Sequence, residues 1–312
     1  MHKRPISSLS LPPATLGALT RAGFENVGDL AGFESAEALS TQLRIPIAQS
    51  QLVMSASQTI APPTAASQSL ASLSKAGVAQ PRTTTCKELD NLLDGGLRQG
   101  RVYELSGPPG VPKDALALKT AASYARTGEG TLFVDCQNVI NTDFLEDLHG
   151  DEQELISTTA VHTLAELVLT VLTLPTLLNR LPRTTLVVFG CFSAPFQSSS
   201  PAARTVALDR IKNALSKICA TNRITVVTTC QCATKLLNSD GSPSNFDSGA
   251  QAVMRPAPGP NYMPPGRSSR VILVPNSPST GHFRLLEPSA ADTRRKNKPL
   301  EAPYSVKEIM QR

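Results

Sequence analysis

The densest chemical signal in the chain is the run Gly107-Pro108-Pro109-Gly110-Val111-Pro112-Lys113-Asp114. It follows the apolar stretch Val102 to Leu105 and precedes the helix-forming stretch Ala115 to Ala125, so it reads as strand, glycine turn and helix. That is the layout of a phosphate-binding loop with the pattern GxxxxGK[ST]. In such a loop backbone N–H groups cradle the phosphates, the lysine adds charge, and the hydroxyl supports magnesium. Gly107, Pro108, Pro109, Gly110 and Lys113 are the candidate phosphate contacts. Two parts are exchanged. Pro112 stands where the second glycine belongs and carries no N–H, and Asp114 sets a carboxylate where a neutral hydroxyl belongs. At about 1.5–3 kcal/mol for each charge-assisted hydrogen bond lost, the two changes weaken nucleotide binding by roughly a few orders of magnitude. Taken alone, so incomplete a motif is more often a plain strand-to-helix turn, and the flanking sequence has to decide.

The elements around this loop alternate. Short helices are expected across residues 1–57: Pro12 and Pro13 open one, Leu16, Leu19 and Ala22 space its apolar face, and Gly23 ends it. Residues 58–82 have the small, polar, proline-bearing composition of a linker. From Thr83 to about residue 290, strands at Val102 to Leu105, Thr131 to Val134, Leu186 to Phe189 and Ile224 to Thr229 alternate with helices at Ala115 to Ala125, Leu164 to Leu181 and Pro201 to Cys219. This order predicts an α/β core, a mostly parallel sheet flanked by helices, preceded by a small all-α domain. Residues 237–269 read as a long loop, and Arg270 to Pro275 with His282 to Leu286 as a closing hairpin. Residues 291–312 read as a basic, disordered tail containing the cluster Thr293 to Lys298.

Composition narrows the classes of function. A length of 312 residues suits about two domains. A charged fraction of 18%, with 25 prolines and 19 glycines, fits ordinary globular elements joined by long connections. The net charge of +5 permits a nucleic-acid partner and demands none. Six cysteines without paired C-x-x-C spacing, and His149 and His162 without ligand-spaced companions, give no metal site; the thiols are expected to be reduced and buried. Leu164 to Leu178 is too short to span a bilayer and is interrupted by Glu166 and Pro175, so no membrane partner is expected.

Around the loop, Thr84-Thr85-Cys86-Lys87-Glu88-Leu89-Asp90-Asn91-Leu92-Leu93-Asp94-Gly95-Gly96-Leu97 and then Gly100-Arg101-Val102-Tyr103-Glu104-Leu105 resemble the ATPase-core entry of RecA-like eukaryotic recombinases and their paralogues. The opening Leu9-Ser10-Leu11-Pro12, the segment His162 to Leu167 with Leu172-Thr173-Leu174-Pro175, and Ser277-Pro278-Ser279 are most similar to the C-type paralogue. The resemblance implies a RecA-like P-loop NTPase fold and a role as mediator in DNA repair by homologous recombination. It also implies how the site departs from the family. The catalytic glutamate after the second strand is matched by Gln137, the magnesium-supporting aspartate by Gly190, and an asparagine by Cys230, while the phosphate-sensing glutamine is kept as Gln231. An amide holds water but takes no proton from it, a role worth about 10²–10⁴-fold. With Pro112 and Asp114 these positions predict a pseudo-ATPase with no cofactor, residual ATP binding being the alternative.

The long loop aligns with the family's second DNA-contacting loop. Lys235, Arg255, Arg267 and Arg270 are the expected phosphate contacts there, and Tyr262 the expected base-stacking ring. Phe33-Glu34-Ser35-Ala36 matches an F-x-x-A subunit-contact motif, although core packing suits its position better. The expected function is an accessory subunit that assists recombinase filament assembly on single-stranded DNA. Its partners would be other recombinase paralogues and the core recombinase, in the nucleus, where the basic cluster would serve as an import signal. A divergent but active DNA-dependent ATPase, and a scaffold without DNA binding, are the alternatives.

Overall fold

The computed structural model describes residues 5–9, 11–33, 35–58, 80–140, 144, 146, 148–221, 223–238, 240, 242, 244–245, 251–287 and 300–311. The chain divides into two compact units, residues 1–77 and 78–312. The first holds α1 (Pro13–Arg21), α2 (Ala36–Leu43) and α3 (Ile47–Gln58). Proline opens α1 because its missing N–H is unpaired at a helix start in any case, and Gly23, at φ +85°, turns the chain out of it. Leu19, Leu30, Leu39 and Val53 form the core of this unit. Phe33 packs against it with its ring 5.8 Å from Phe24, so its aromatic group belongs to this core.

The second unit begins with α4 (Lys87–Leu92), β1 (Val102–Gly107), α5 (Lys113–Arg126), β2 (Gly130–Asp135), α6 (Gly150–Gln153) and β3 (Ile156–Ala160). It continues with α7 (Leu164–Arg180), β4 (Thr184–Gly190), α8 (Pro201–Ala220), β5 (Thr225–Leu237) and β6 (Gln251–Pro256). It closes with β7 (Ser268–Pro275), β8 (Thr280–Glu287), β9 (Glu301–Ser305) and α9 (Val306–Met310). Among the described residues the sheet has nine strands in the order β3-β2-β4-β5-β1-β7-β8-β9, with β6 on the far end of β5. The pairs from β3 through β7 are parallel, and β8 and β9 run antiparallel at one side.

Side chains alternate along the central strands. Tyr103, Leu105, Phe133, Leu186 and Val188 face α5. Val102, Leu132, Val134, Val187 and Phe189 face α7 and α8. Thr163 caps α7 by accepting from the Glu166 N–H at 3.2 Å while Glu166 accepts from Thr163 in return, a capping box that fixes where α7 starts. Among the described residues no helix is long and apolar enough to cross a membrane.

Two segments differ from their expectations. The 237–269 region is not one loop, because β5 runs on to Leu237 and pairs antiparallel with β6 as a two-stranded ribbon. The tail is ordered over 300–311: β9 adds to β8, and Tyr304 and Ile309 bury against the main core, with Tyr304 stacked 4.9 Å from Phe283. The apolar alternation that drives this is short and follows a charged run, which hides it in the sequence. Most of the expected linker (59–79) and the cluster 293–298 lie outside the described residues.

Candidate functional site: a phosphate loop closed on its own side chains

β1 lies between β5 and β7 and delivers the chain to the glycine loop at its own C-terminal end, where Gly107 is level with Gln231 of β5. Gly107 is required there, since a Cβ would sit 2.6 Å from Val111 Cγ2 and 3.0 Å from the Leu273 carbonyl oxygen. Gly110 turns the loop at φ +88°. Pro112 then caps α5 without an N–H to offer, and α5 starts at Lys113.

The two charged residues at the helix start face each other. Lys113 is 3% exposed, and its Nζ lies 3.5 Å from Asp114 Oδ2. Asp114 Oδ1 accepts from the Thr229 hydroxyl at 2.5 Å, and that hydroxyl oxygen accepts from the Cys191 N–H at 2.7 Å. The Cys191 thiol donates to Gln137 Oε1 at 2.6 Å, and Gln231 Nε2 donates to the same oxygen at 3.4 Å. The Gln231 N–H donates in turn to Ser193 Oγ at 3.0 Å. One hydrogen-bonded chain therefore joins the start of α5 to the segments just beyond β2 and β4 and to the middle of β5. Lys113, Gln137 and Gln231 meet in it, while Thr229 and Cys191, which the sequence reading did not single out, connect them. Burial, reinforced by the Asp114 carboxylate, pushes the Cys191 thiol above its ordinary range, so it is a poor nucleophile.

The ends of β2 and β4 nearby are occupied by backbone bonds and by packing. Asp135, at the end of β2, turns its carboxylate back onto the chain and accepts from the N–H groups of Gln137, Val139 and Ile140 at 3.1, 2.9 and 3.1 Å. It staples the loop that follows β2. At Gly190 a Cβ would meet Phe133 Cε1 at 2.8 Å and Val139 Cγ2 at 3.3 Å, so a carboxylate-bearing residue has no room without displacing an aromatic ring. The residues present do not fit a magnesium nucleotide. The lysine is neutralised from within, a loop donor is missing, and the metal-supporting position is filled by packing.

The expected DNA contacts separate into two groups. Ala233 pairs with Arg255 and Lys235 with Val253, so Lys235 and Arg255 share one face of the β5–β6 ribbon. The other three sit elsewhere. Arg267 donates from Nη1 to the Cys219 carbonyl at 2.9 Å, at the C-terminus of α8, where a cation complements the unpaired carbonyls. Arg270 is 6% exposed and pairs with Glu104 through Nε and Nη2, both at 3.0 Å. Tyr262 is 0% exposed, with its ring 4.5 Å from Phe192 and its hydroxyl donating to Glu104 Oε2 at 2.8 Å. Neither face of that ring is open to a base, which corrects the stacking expectation. Arg270 likewise points into the core and not toward a phosphate. The signal that could have found this cluster is Glu104 itself, an acid between Val102 and Ser106 on the buried face of a central strand, which demands a cation beside it.

No family model matches the chain. A segment of 64 residues is 34% identical to the DNA repair and recombination protein RadB of Methanobrevibacter smithii, covering 20% of this chain and 27% of that protein. A segment of 56 residues is 41% identical to RadB of Halobacterium salinarum, covering 18% and 24%. A segment of 75 residues is 32% identical to the RecA protein of Clostridium botulinum, covering 24% and 21%. The chain thus aligns with about a quarter of these relatives' length. Sheet order and matched segments agree: the α/β unit has a RecA-like fold, and part of this chain is homologous to the RecA-family recombinases.

Proposed function

We propose that this chain is an accessory, non-hydrolysing subunit of a recombinase-paralogue complex, assisting recombinase filament assembly on single-stranded DNA during repair by homologous recombination. The observation that carries this reading is the closed Lys113–Asp114–Thr229 chain beside a Gly190 that leaves no space for a carboxylate. Kinship with RadB and RecA supports the recombination setting. The finer likeness to C-type paralogues, and the nuclear location, rest on the sequence segments quoted above.

A role through partners is supported by α7 and α8. Leu169, Leu172 and Val206 are 62%, 49% and 53% exposed around a groove floored by Leu164, Val168 and Ala207. A contiguous apolar strip of this kind suits contact with another protein. A role at DNA is supported by Lys235 and Arg255 on one face of the ribbon. Affinity purification of the tagged chain should recover recombinase paralogues, and the double variant Leu169→Glu, Leu172→Glu should lose them. Recovery of no recombinase-family protein defeats the proposal. One observation favours a second reading: Gly107, Gly110 and a buried Lys113 are retained, as they would be in a divergent ATPase completed by a partner's residues.

A further inference from the structure

The face of the sheet toward α7 and α8 carries a polar row that the phosphate loop does not use. Glu104 of β1 is in register with Thr228 of β5 on one side and Arg270 of β7 on the other, so three side chains line up across three adjacent strands. Glu104 and Thr228 are 0% exposed. Into this row reaches Tyr262, which belongs to the segment returning from β6 to β7. Its hydroxyl donates to Glu104 Oε2 at 2.8 Å and lies 2.8 Å from Thr228 Oγ1. A phenol has one proton, so with Glu104 accepting it the threonine hydroxyl donates to the phenol oxygen.

A buried ion pair of this kind adds little net stability over apolar residues of the same shape, and its best-attested use is to fix one arrangement among several. An apolar pocket would accept the return segment in neighbouring positions. The Glu104 carboxylate is held by Arg270 through Oε1, so its Oε2 is fixed in place to accept the phenol. The connection from that place to the ribbon is short. The Ala257 N–H is held by the Gln231 carbonyl at 2.9 Å, and only residues 258–261 separate it from Tyr262, with φ fixed by proline at 258 and 260. Where Tyr262 sits therefore decides how β6 leaves the sheet.

We infer that Glu104, Arg270 and Thr228 form a receptor for the Tyr262 phenol, and that Tyr262 is a positioning residue that sets the β5–β6 ribbon and the cations Lys235 and Arg255 on it. The DNA consequence rests on the ribbon reading proposed above; the positioning itself does not.

The test uses the full chain and the variant Tyr262→Phe, which keeps the ring and removes the donor. Hydrogen exchange at ribbon amides 233–237 and 251–255 is compared with exchange in β2 and β4. Loss of one hydrogen bond to a charged group predicts ribbon exchange about 10- to 100-fold faster while β2 and β4 stay protected. Should Tyr262→Phe fail to fold, Thr228→Val removes the phenol's hydroxyl partner with the ion pair intact, and a smaller acceleration confined to the ribbon is expected. Affinity for a fluorescent oligothymidylate is measured alongside, with Lys235→Ala, Arg255→Ala as the control that removes charge without freeing the ribbon. Faster ribbon exchange with weaker oligothymidylate binding supports the inference. Unchanged ribbon exchange in both variants overturns it. Faster exchange beside no oligothymidylate binding in the wild-type chain supports the positioning and overturns the DNA reading alone.

Discussion

Thr228 and Thr229 are neighbours in β5, point to opposite faces of the sheet, and belong to two polar clusters of opposite character. Thr229 serves the phosphate-loop cluster at the strand ends, where the Asp114 side chain is 33% exposed and the Lys113–Asp114 pair is a single loose contact of 3.5 Å. Thr228 serves the cluster around Glu104, which is sealed and pairs with Arg270 through two nitrogens at 3.0 Å each. The former lies at the phosphate loop and holds an internal ion pair where the resemblance implies nucleotide-binding groups. The latter is a buried, fully partnered network. Two neighbouring residues thus feed two ion pairs of different kinds: a partly exposed one at the phosphate loop, and a sealed one in the interior, where removing one partner alone leaves an uncompensated charge.

The largest effect should come from breaking the sealed cluster. Glu104→Ala leaves the Arg270 guanidinium buried without its carboxylate, and urea denaturation should show a loss of about 3–5 kcal/mol. Gly190→Asp comes next. Its Cβ meets the Phe133 ring, and overpacking should cost about 1–3 kcal/mol in the same assay without creating a magnesium site. Asp114→Asn should change stability by less than about 1 kcal/mol, because its ion pair is partly screened by solvent. An equal loss in Glu104→Ala and Asp114→Asn would erase the distinction between the clusters.

The thiols sharpen the comparison at the lowest amplitude. Burial pushes Cys136 up to about 12 and Cys219 up to about 11. Their neutral forms are favoured by folding, so this contribution is complete below the ordinary thiol range and fades as pH rises through and above it. Iodoacetamide at pH 8 should leave both unlabelled in the native chain and label both in urea; native labelling of either would show that the packing around it opens.

Much of the fold was legible in the sequence because its elements carry strong periods. The strands of the central sheet and the helices α5, α7 and α8 fall where apolar alternation and helix caps put them. β3 was missed because its five residues, Ile156 to Ala160, are half polar and pair on one side with β2. β6 and β9 were missed because they gain stability only from a distant partner, β5 in one case and β8 in the other. At the site, the exchanged residues were readable one by one from the phosphate-loop pattern. What they do instead was not: the bond from Thr229 to Asp114 spans 115 residues and that from Arg270 to Glu104 spans 166, and no local spacing announces either. Tyr262 and Arg270 were read as DNA contacts because the 237–269 stretch aligns with a DNA-contacting loop of the family it resembles, whereas their burial is set by strands distant in sequence.

The central claim is that this phosphate loop is closed on its own side chains and turns over no nucleotide. Its most direct test is ATP hydrolysis by the purified chain with magnesium and single-stranded DNA, run beside Lys113→Ala. The account predicts phosphate release no faster than in a matched preparation lacking the protein, and no difference between wild type and variant. Turnover by the wild-type chain that disappears in Lys113→Ala would contradict it.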